Sequence, residues 1–131
     1  MQALAARVTK SLCISSRLNC DDNSGAKIVQ IIGVIGSKAS LRKVPSAGIG
    51  DVVRVSVKKG KADLVGKKEL AVITRQKKEF RRGKTRIKFE DNACVLIDDQ
   101  HLPRGTEIKG AVSRELAERF PKVVAIAAAV V

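Results

Sequence analysis

Asp98, Asp99 and the chain's single histidine, His101, share one four-residue stretch, and such residue types could bind a metal ion or pass a proton. They sit in DDQHLPRG just before Pro103, where aspartate commonly serves a turn through local hydrogen bonds. No second ligand cluster, nucleophile motif or Gly-rich phosphate loop accompanies them, so a turn is the better reading than a catalytic centre. Asp21, Asp22 and Asn23 offer similar groups with the same lack of support. Cys13, Cys20 and Cys94 are odd in number and lack the short paired spacing of zinc sites, so they read as small buried thiols in a reduced cytosolic setting.

Stronger chemistry lies in RQKKEFRRGKTRIKFEDN, from Arg75 to Asn92, which sets eight basic residues between Arg75 and Lys88 against one glutamate. Lys can neutralise phosphate as a point charge, and Arg can offer it a fork of hydrogen bonds. The whole chain has a formal charge of +13 and a pI near 10.2 over 131 residues. The excess is local: residues 42–88 hold sixteen Lys or Arg against four acids, whereas residues 89–131 hold five against seven. That one-sidedness favours a polyanion-binding face over an ordinary solvated surface. Aromatic residues make up only 2%, with no Trp or Tyr, so stacking of unpaired bases is poorly supplied and structured RNA held by shape and backbone contacts fits better. No recognition helix carries residues suited to reading base edges.

The elements that must carry this charge read as short strands. A hydrophobic fraction of 44% and a length of 131 residues fit one folded domain with a modest core. IVQIIGVI, Ile28 to Ile35, reads as a central strand bent or closely approached at Gly33. In DVVRVSVKK, Val53, Val55 and Val57 take one face while Arg54, Ser56 and Lys58 take the other. GSKASLRKVPSAGIGD between them is a loop presenting Lys38, Arg42 and Lys43. ELAVITRQKK is a strand expected to grow polar as it leaves the core. After a turn at Arg82, Gly83 and Lys84, TRIKF returns with Thr85, Ile87 and Phe89 on one face and Arg86 and Lys88 on the other, which makes a basic hairpin arm. NACVLID is a further strand. SRELAERF is an expected helix capped by Ser113, with pairs Arg114–Glu118 and Glu115–Arg119, Leu116 and Phe120 inward, and Pro121 as its stop. The AIAAAVV tail is too short to span a bilayer and is expected to be buried. The fold class is mainly β: a small closed barrel, which removes exposed edges, with a short helical part near the C-terminus.

LNCDDNSGAK, PSAGIGDVVRVSVKKGK, AVITRQKKEFRRGKTRIKFEDNACVLIDD and PRGTEIKGAVSRELAERFPKVV together resemble the universal large-ribosomal-subunit protein fourteen family, in its archaeal and eukaryotic type. Four blocks in the family's order, from Leu18 to the C-terminus, carry the resemblance. It implies a five-stranded β-barrel over residues 18–110, with a projecting hairpin near 75–89, an N-terminal extension at 1–17 and a C-terminal helical segment at 111–131. It also implies a cytoplasmic, ribosomal protein without cofactor or membrane. Its partners would be large-subunit rRNA, small-subunit rRNA at an intersubunit bridge, neighbouring large-subunit proteins and, in many lineages, an anti-association factor.

Carried over by position, the RNA and bridge residues are Lys38, Arg42, Lys43, Lys77, Lys78, Arg81, Arg82, Lys84, Arg86 and Lys88, joined by Arg54, Lys58 and Lys59 of the cationic wall. The factor-docking residues are Arg104, Thr106 and Lys122. The hairpin tip is about one residue shorter than the family's usual turn, Arg86 stands where bacterial members have an aromatic residue, and Glu107 replaces a common basic residue. Charge reversal at Arg81 and Arg82 is expected to impair ribosome incorporation and leave the fold intact. A free nucleic-acid-binding module and a small hydrolase using Asp98, Asp99 and His101 are the competing readings.

Overall fold

Strict alternation in the Val-rich segments produces a wall with one apolar and one wet face, and the chain closes that wall on itself. The computed structural model describes residues 2–37 and 40–131. Five strands form a closed barrel in the order β2 (Arg17–Cys20), β3 (Ala26–Val34), β5 (Val52–Gly60), β6 (Lys68–Arg75) and β9 (Ala93–Ile97). All neighbours are antiparallel except β2 and β9, whose parallel pairing closes the ring at Asn19↔Ala93 and Cys20↔Cys94. Val29, Ile31, Val53, Val55, Val57, Ile73 and Leu96 are fully buried inside it. Burying each such side chain contributes about 1.5–3 kcal/mol, so a one-residue slip that turned them outward would cost far more than any surface charge could return. The register at Gly33 is irregular, as expected of a bent strand, but a Cβ there would meet nothing within 4 Å, so no neighbour requires the glycine.

Three small sheets dress the barrel. β1 (Leu12–Cys13) pairs with β4 (Ser46–Ala47), β7 (Phe80–Arg82) pairs with β8 (Thr85–Ile87), and β10 (Ile108–Val112) runs parallel to β11 (Ala127–Val130). The basic hairpin is therefore a separate ribbon, divided from β6 by residues 76–79. Its two-residue turn, Gly83–Lys84, places Gly83 at φ +62°, a left-handed conformation that glycine adopts without Cβ strain.

Several expectations need correction. β6 does not become wet at its end: Thr74, Arg75 and Gln76 are all buried. The N-terminal segment and β10 cover that end of the barrel and supply partners. The Gln76 amide donates to the Thr9 carbonyl (2.8 Å) and accepts from the Ile49 N–H (3.1 Å). The helix expected over SRELAERF is a 3-10 helix at Arg114–Glu118, and Ser113 makes no side-chain capping bond. With three residues per turn, i,i+4 side chains diverge, and the two intrahelical ion pairs do not form. Arg119 instead reaches Asp51 (3.3 Å), while Leu116 and Phe120 are buried as expected. Pro121 starts rather than stops a helix, α1 (Pro121–Ala125), because its missing N–H costs nothing at the first helical position. The tail is a largely exposed strand, β11, rather than a buried segment.

Candidate nucleic-acid interface

The hairpin shows how period two sorts its charges. Phe80 pairs with Ile87 and Arg82 with Thr85; on this face Phe80, Ile87 and Arg82 turn inward, while Thr85 beside the turn is exposed. Phe80 is buried, and the Arg82 guanidinium lies 5.8 Å from its ring centre. Arg81 and Arg86, opposite each other, face outward, and Lys77, Lys78, Lys84 and Lys88 are exposed around them. Arg86 also touches Glu79 at 2.7 Å, an exposed pair of small energetic weight.

Arg82 departs from the expected role. It forms an ion pair with Glu115, and one of its nitrogens also reaches the Val131 carbonyl at 3.0 Å and the Ser113 hydroxyl at 3.3 Å. Its charge therefore clamps the C-terminal segment to the hairpin instead of facing solvent, which corrects the expectation that reversing it spares the fold. Arg75 likewise lies inside, between Asp21 and Asp91.

Burial alone would push the Glu115 carboxyl up, but the hydrogen bonds from Arg82 and Ser113 outweigh it and hold the group below the usual glutamate range. Asp91 is likewise held down, first by its hydrogen bond from Arg75. A carboxylate whose folded pKa is depressed contributes stability that is present above its unfolded pKa and lost as pH falls through the folded value. The thermal midpoint should therefore drop as pH falls below about 4.3, the ordinary glutamate value. Glu115→Gln, measured by circular dichroism melts across that range, should show a lower midpoint at neutral pH and a shallower acid decline. An unchanged acid limb would mean that Glu115 does not couple the C-terminal segment to the fold.

The barrel wall adds a second cationic area. Arg17↔Gln30, Gln30↔Ser56 and Ser56↔Lys68 are successive register partners, so four polar side chains form one row across β2, β3, β5 and β6. Arg54 lies on the same face as Ser56 and is exposed. A register shift in the β3–β5 ladder leaves Lys58 as an extra residue between Val57 and Lys59, and both lysines are exposed. Arg17 and Lys68 went unnoticed in the sequence because they lie about fifty residues apart, outside the basic run; only strand pairing brings them into one row.

Arg42 and Lys43 are exposed beside Leu41, which is 90% exposed, and Arg42 has φ +68°. Lys38, of the same loop, lies outside the described residues. Of the three residues expected to dock a factor, Arg104 and Thr106 flank Gly105 and Lys122 lies farther along the chain. Arg104 pairs with Glu69 at 2.9 Å, Thr106 exchanges hydrogen bonds with Asn23 at 2.8 and 2.9 Å, and Lys122 is exposed on α1.

The groups that suggested acid–base chemistry serve the fold. Asp98 accepts from the N–H groups of Gln100 and Leu102, both at 2.9 Å, and His101 packs against Phe120 with ring centres 5.6 Å apart. Asp22 is buried and accepts from Leu96 N–H at 3.0 Å, tying the β2–β3 turn to β9. Of the three free thiols expected to be buried, only Cys94 is; Cys13, on a short strand outside the barrel, is exposed and Cys20 half-buried. Cys20 and Cys94 face each other across the β2–β9 seam; the hydrogen bond with Cys20, then burial, raise the Cys94 thiol well above the usual cysteine range. Among the described residues, no group of three or more His, Cys, Asp or Glu is placed to hold a metal, and no helix is long and apolar enough to cross a membrane.

Comparison with known proteins gives this geometry its context. The family model described as ribosomal protein L14p/L23e matches residues 11–131. The "Large ribosomal subunit protein uL14" of Methanoregula boonei is 46% identical over the full length of both chains. That of Halorubrum lacusprofundi is 48% identical, also over the full length of both. That of Methanococcus vannielii is 46% identical over 94% of each. With the expected closed barrel of five strands and a match that covers all of it, the chain belongs to the ribosomal protein L14p/L23e family.

Proposed function

We propose that this chain is a structural, non-catalytic component of the large ribosomal subunit in the cytoplasm, where it binds large-subunit rRNA. The observation that carries this reading is family membership combined with an exposed cationic surface drawn mainly from residues 42–88. Arg54, Lys58 and Lys59 on the wall and Lys77, Lys78, Arg81, Lys84, Arg86 and Lys88 on the hairpin are exposed on rigid strands or their flanks. A closed barrel fixes these side chains before binding, so little ordering cost is added when phosphates are neutralised. Arg17 and Lys68 join them, and Arg82 serves as the internal clamp. Lys38, Arg42 and Lys43 are assigned to the bridge with small-subunit rRNA, neighbouring large-subunit proteins flank the barrel, and Arg104, Thr106 and Lys122 are assigned to an anti-association factor.

Sucrose-gradient fractionation of cell extract at high salt, with this chain followed by mass spectrometry, tests the proposal. Stoichiometric recovery with the large subunit is expected. Recovery confined to the light fractions would sink the ribosomal assignment and favour a free RNA-binding module.

A further inference from the structure

We propose that Arg7, Arg81 and Arg86 form a phosphodiester-binding site completed by the N-terminal segment, so that RNA engagement by the hairpin and seating of residues 2–10 are coupled. This inference rests on the RNA-binding reading above and extends it to a segment on which that reading does not draw.

Arg7 forms an antiparallel bridge with Arg81, and Arg81 pairs with Arg86 across the hairpin. The N-terminal segment thus adds a third strand to the ribbon at one point, and three guanidinium groups stand in one row. Directly opposed residues share a face at short range, where like charges destabilise the pairing. Glu79 offsets part of this through Arg86, but among the described residues neither Arg7 nor Arg81 has a carboxylate partner. A ribbon built this way is electrostatically incomplete without an anion.

The space for that anion is present. A groove of about 560 Å³ lies along the ribbon, with Val8 and Phe80 among its lining and Lys78 beside the three arginines. Guanidinium forks suit the paired oxygens of phosphate, and the same surface belongs to the most cationic part of the chain. These features favour an RNA backbone over an acidic peptide.

The N-terminal segment is held by Ala6 and Val8, partly buried against the core, and by a few polar contacts that are mostly exposed. Ala5 N–H donates to Glu118 at 2.9 Å, the Gln2 carbonyl accepts from Arg119, and Lys10 lies 3.9 Å from Asp51. Thr9 is anchored through Gln76. Such contacts permit local opening far below the cost of global unfolding. An anion bound across the row would cancel its repulsion and favour the seated state, because a ligand shifts an equilibrium toward the state it binds better.

The test titrates the full-length chain with deproteinised large-subunit rRNA over a series of KCl concentrations, with hydrogen exchange of residues 2–10 measured free and bound. Arg7→Ala should reduce the slope of log affinity against log salt by about 0.7–0.9, as expected when one phosphate is no longer neutralised, and Arg7→Lys should restore it. RNA should slow exchange in residues 4–10 of the wild-type chain, but not in Arg81→Ala/Arg86→Ala. Salt-dependent binding with an unchanged slope for Arg7→Ala and no protection would overturn this inference and leave the RNA-binding reading standing. Absence of salt-dependent binding by the wild-type chain would overturn both. Equal protection by polyglutamate would replace the phosphodiester with an acidic polypeptide.

Discussion

Arg75→Ala should lower the unfolding free energy by about 3–5 kcal/mol, the usual cost of removing one partner from a buried ion pair. This side chain is only 10% exposed. Its guanidinium donates to both carboxylate oxygens of Asp91, at 2.9 and 3.0 Å, and to the Ala111 carbonyl at 2.9 Å, and it also pairs with Asp21. These partners come from the end of β2, the segment before β9 and β10, so one residue fastens the barrel seam to the C-terminal sheet. Burial opposes its charge, yet Asp91 and Asp21 more than offset this and raise its pKa further. Truncation leaves two carboxylates facing each other with no cation and strands a carbonyl. At a few degrees per kcal/mol for a domain of this size, the thermal midpoint should fall by roughly 10–20 °C.

Arg75→Lys keeps the charge but loses the planar fork, so it should recover only part of that loss. Gly110→Ala should act on the same site from the other side, since an added Cβ would collide with the Arg75 guanidinium and the Asp21 carboxylate. Thermal and urea unfolding followed by circular dichroism measure all three. A midpoint shift below about 3 °C for Arg75→Ala, less than the change expected for 1 kcal/mol, would show that the network does not hold the seam.

The contrast between Arg75 and its neighbours explains where sequence reading reached and where it stopped. Alternation fixed the apolar interior of β5 and the outward direction of Arg54, because a two-residue period leaves a slipped strand no comparable burial. It located the hairpin for the same reason. What alternation cannot convey is who waits on the other side of a charge. Arg75 and Arg82 look like members of a uniform basic run, yet each meets an acid tens of residues distant, Asp21 or Glu115, brought close by tertiary pairing.

The short C-terminal elements failed for a related reason. A five-residue 3-10 helix and a five-residue α-helix have little intrinsic stability, so packing of Leu116, Phe120 and Val123 decides their form. Arg7 and Arg17 could not be assigned at all without knowing their register partners. Family resemblance implied the five-stranded barrel and the projecting hairpin, but it could not say which arginine in the hairpin was already occupied.

That occupancy leads to a second large effect, in which two adjacent charge reversals should fail in different ways. Arg81→Glu lies on the solvent face and should leave the thermal midpoint nearly unchanged, as surface substitutions usually stay within about 0.5 kcal/mol. Arg82→Glu sets a second carboxylate against the buried Glu115 and removes the donor to the Val131 carbonyl, so it should cost at least about 3 kcal/mol. RNA binding reports the complementary half. Replacing Lys77, Lys78, Arg81 and Lys84 together by Ala should lower the slope of log affinity against log salt by roughly three, at about 0.7–0.9 for each phosphate left without its cation. The same fourfold variant should melt close to the wild-type chain, because all four side chains are exposed. If the slope stayed constant while the melt stayed normal, the hairpin would be removed from the interface and the barrel wall around Arg17, Arg54 and Lys68 would have to supply the cations that meet phosphate. If Arg82→Glu melted normally, Glu115 would need another partner, and the tie between the hairpin and the C-terminal segment would rest on apolar packing alone.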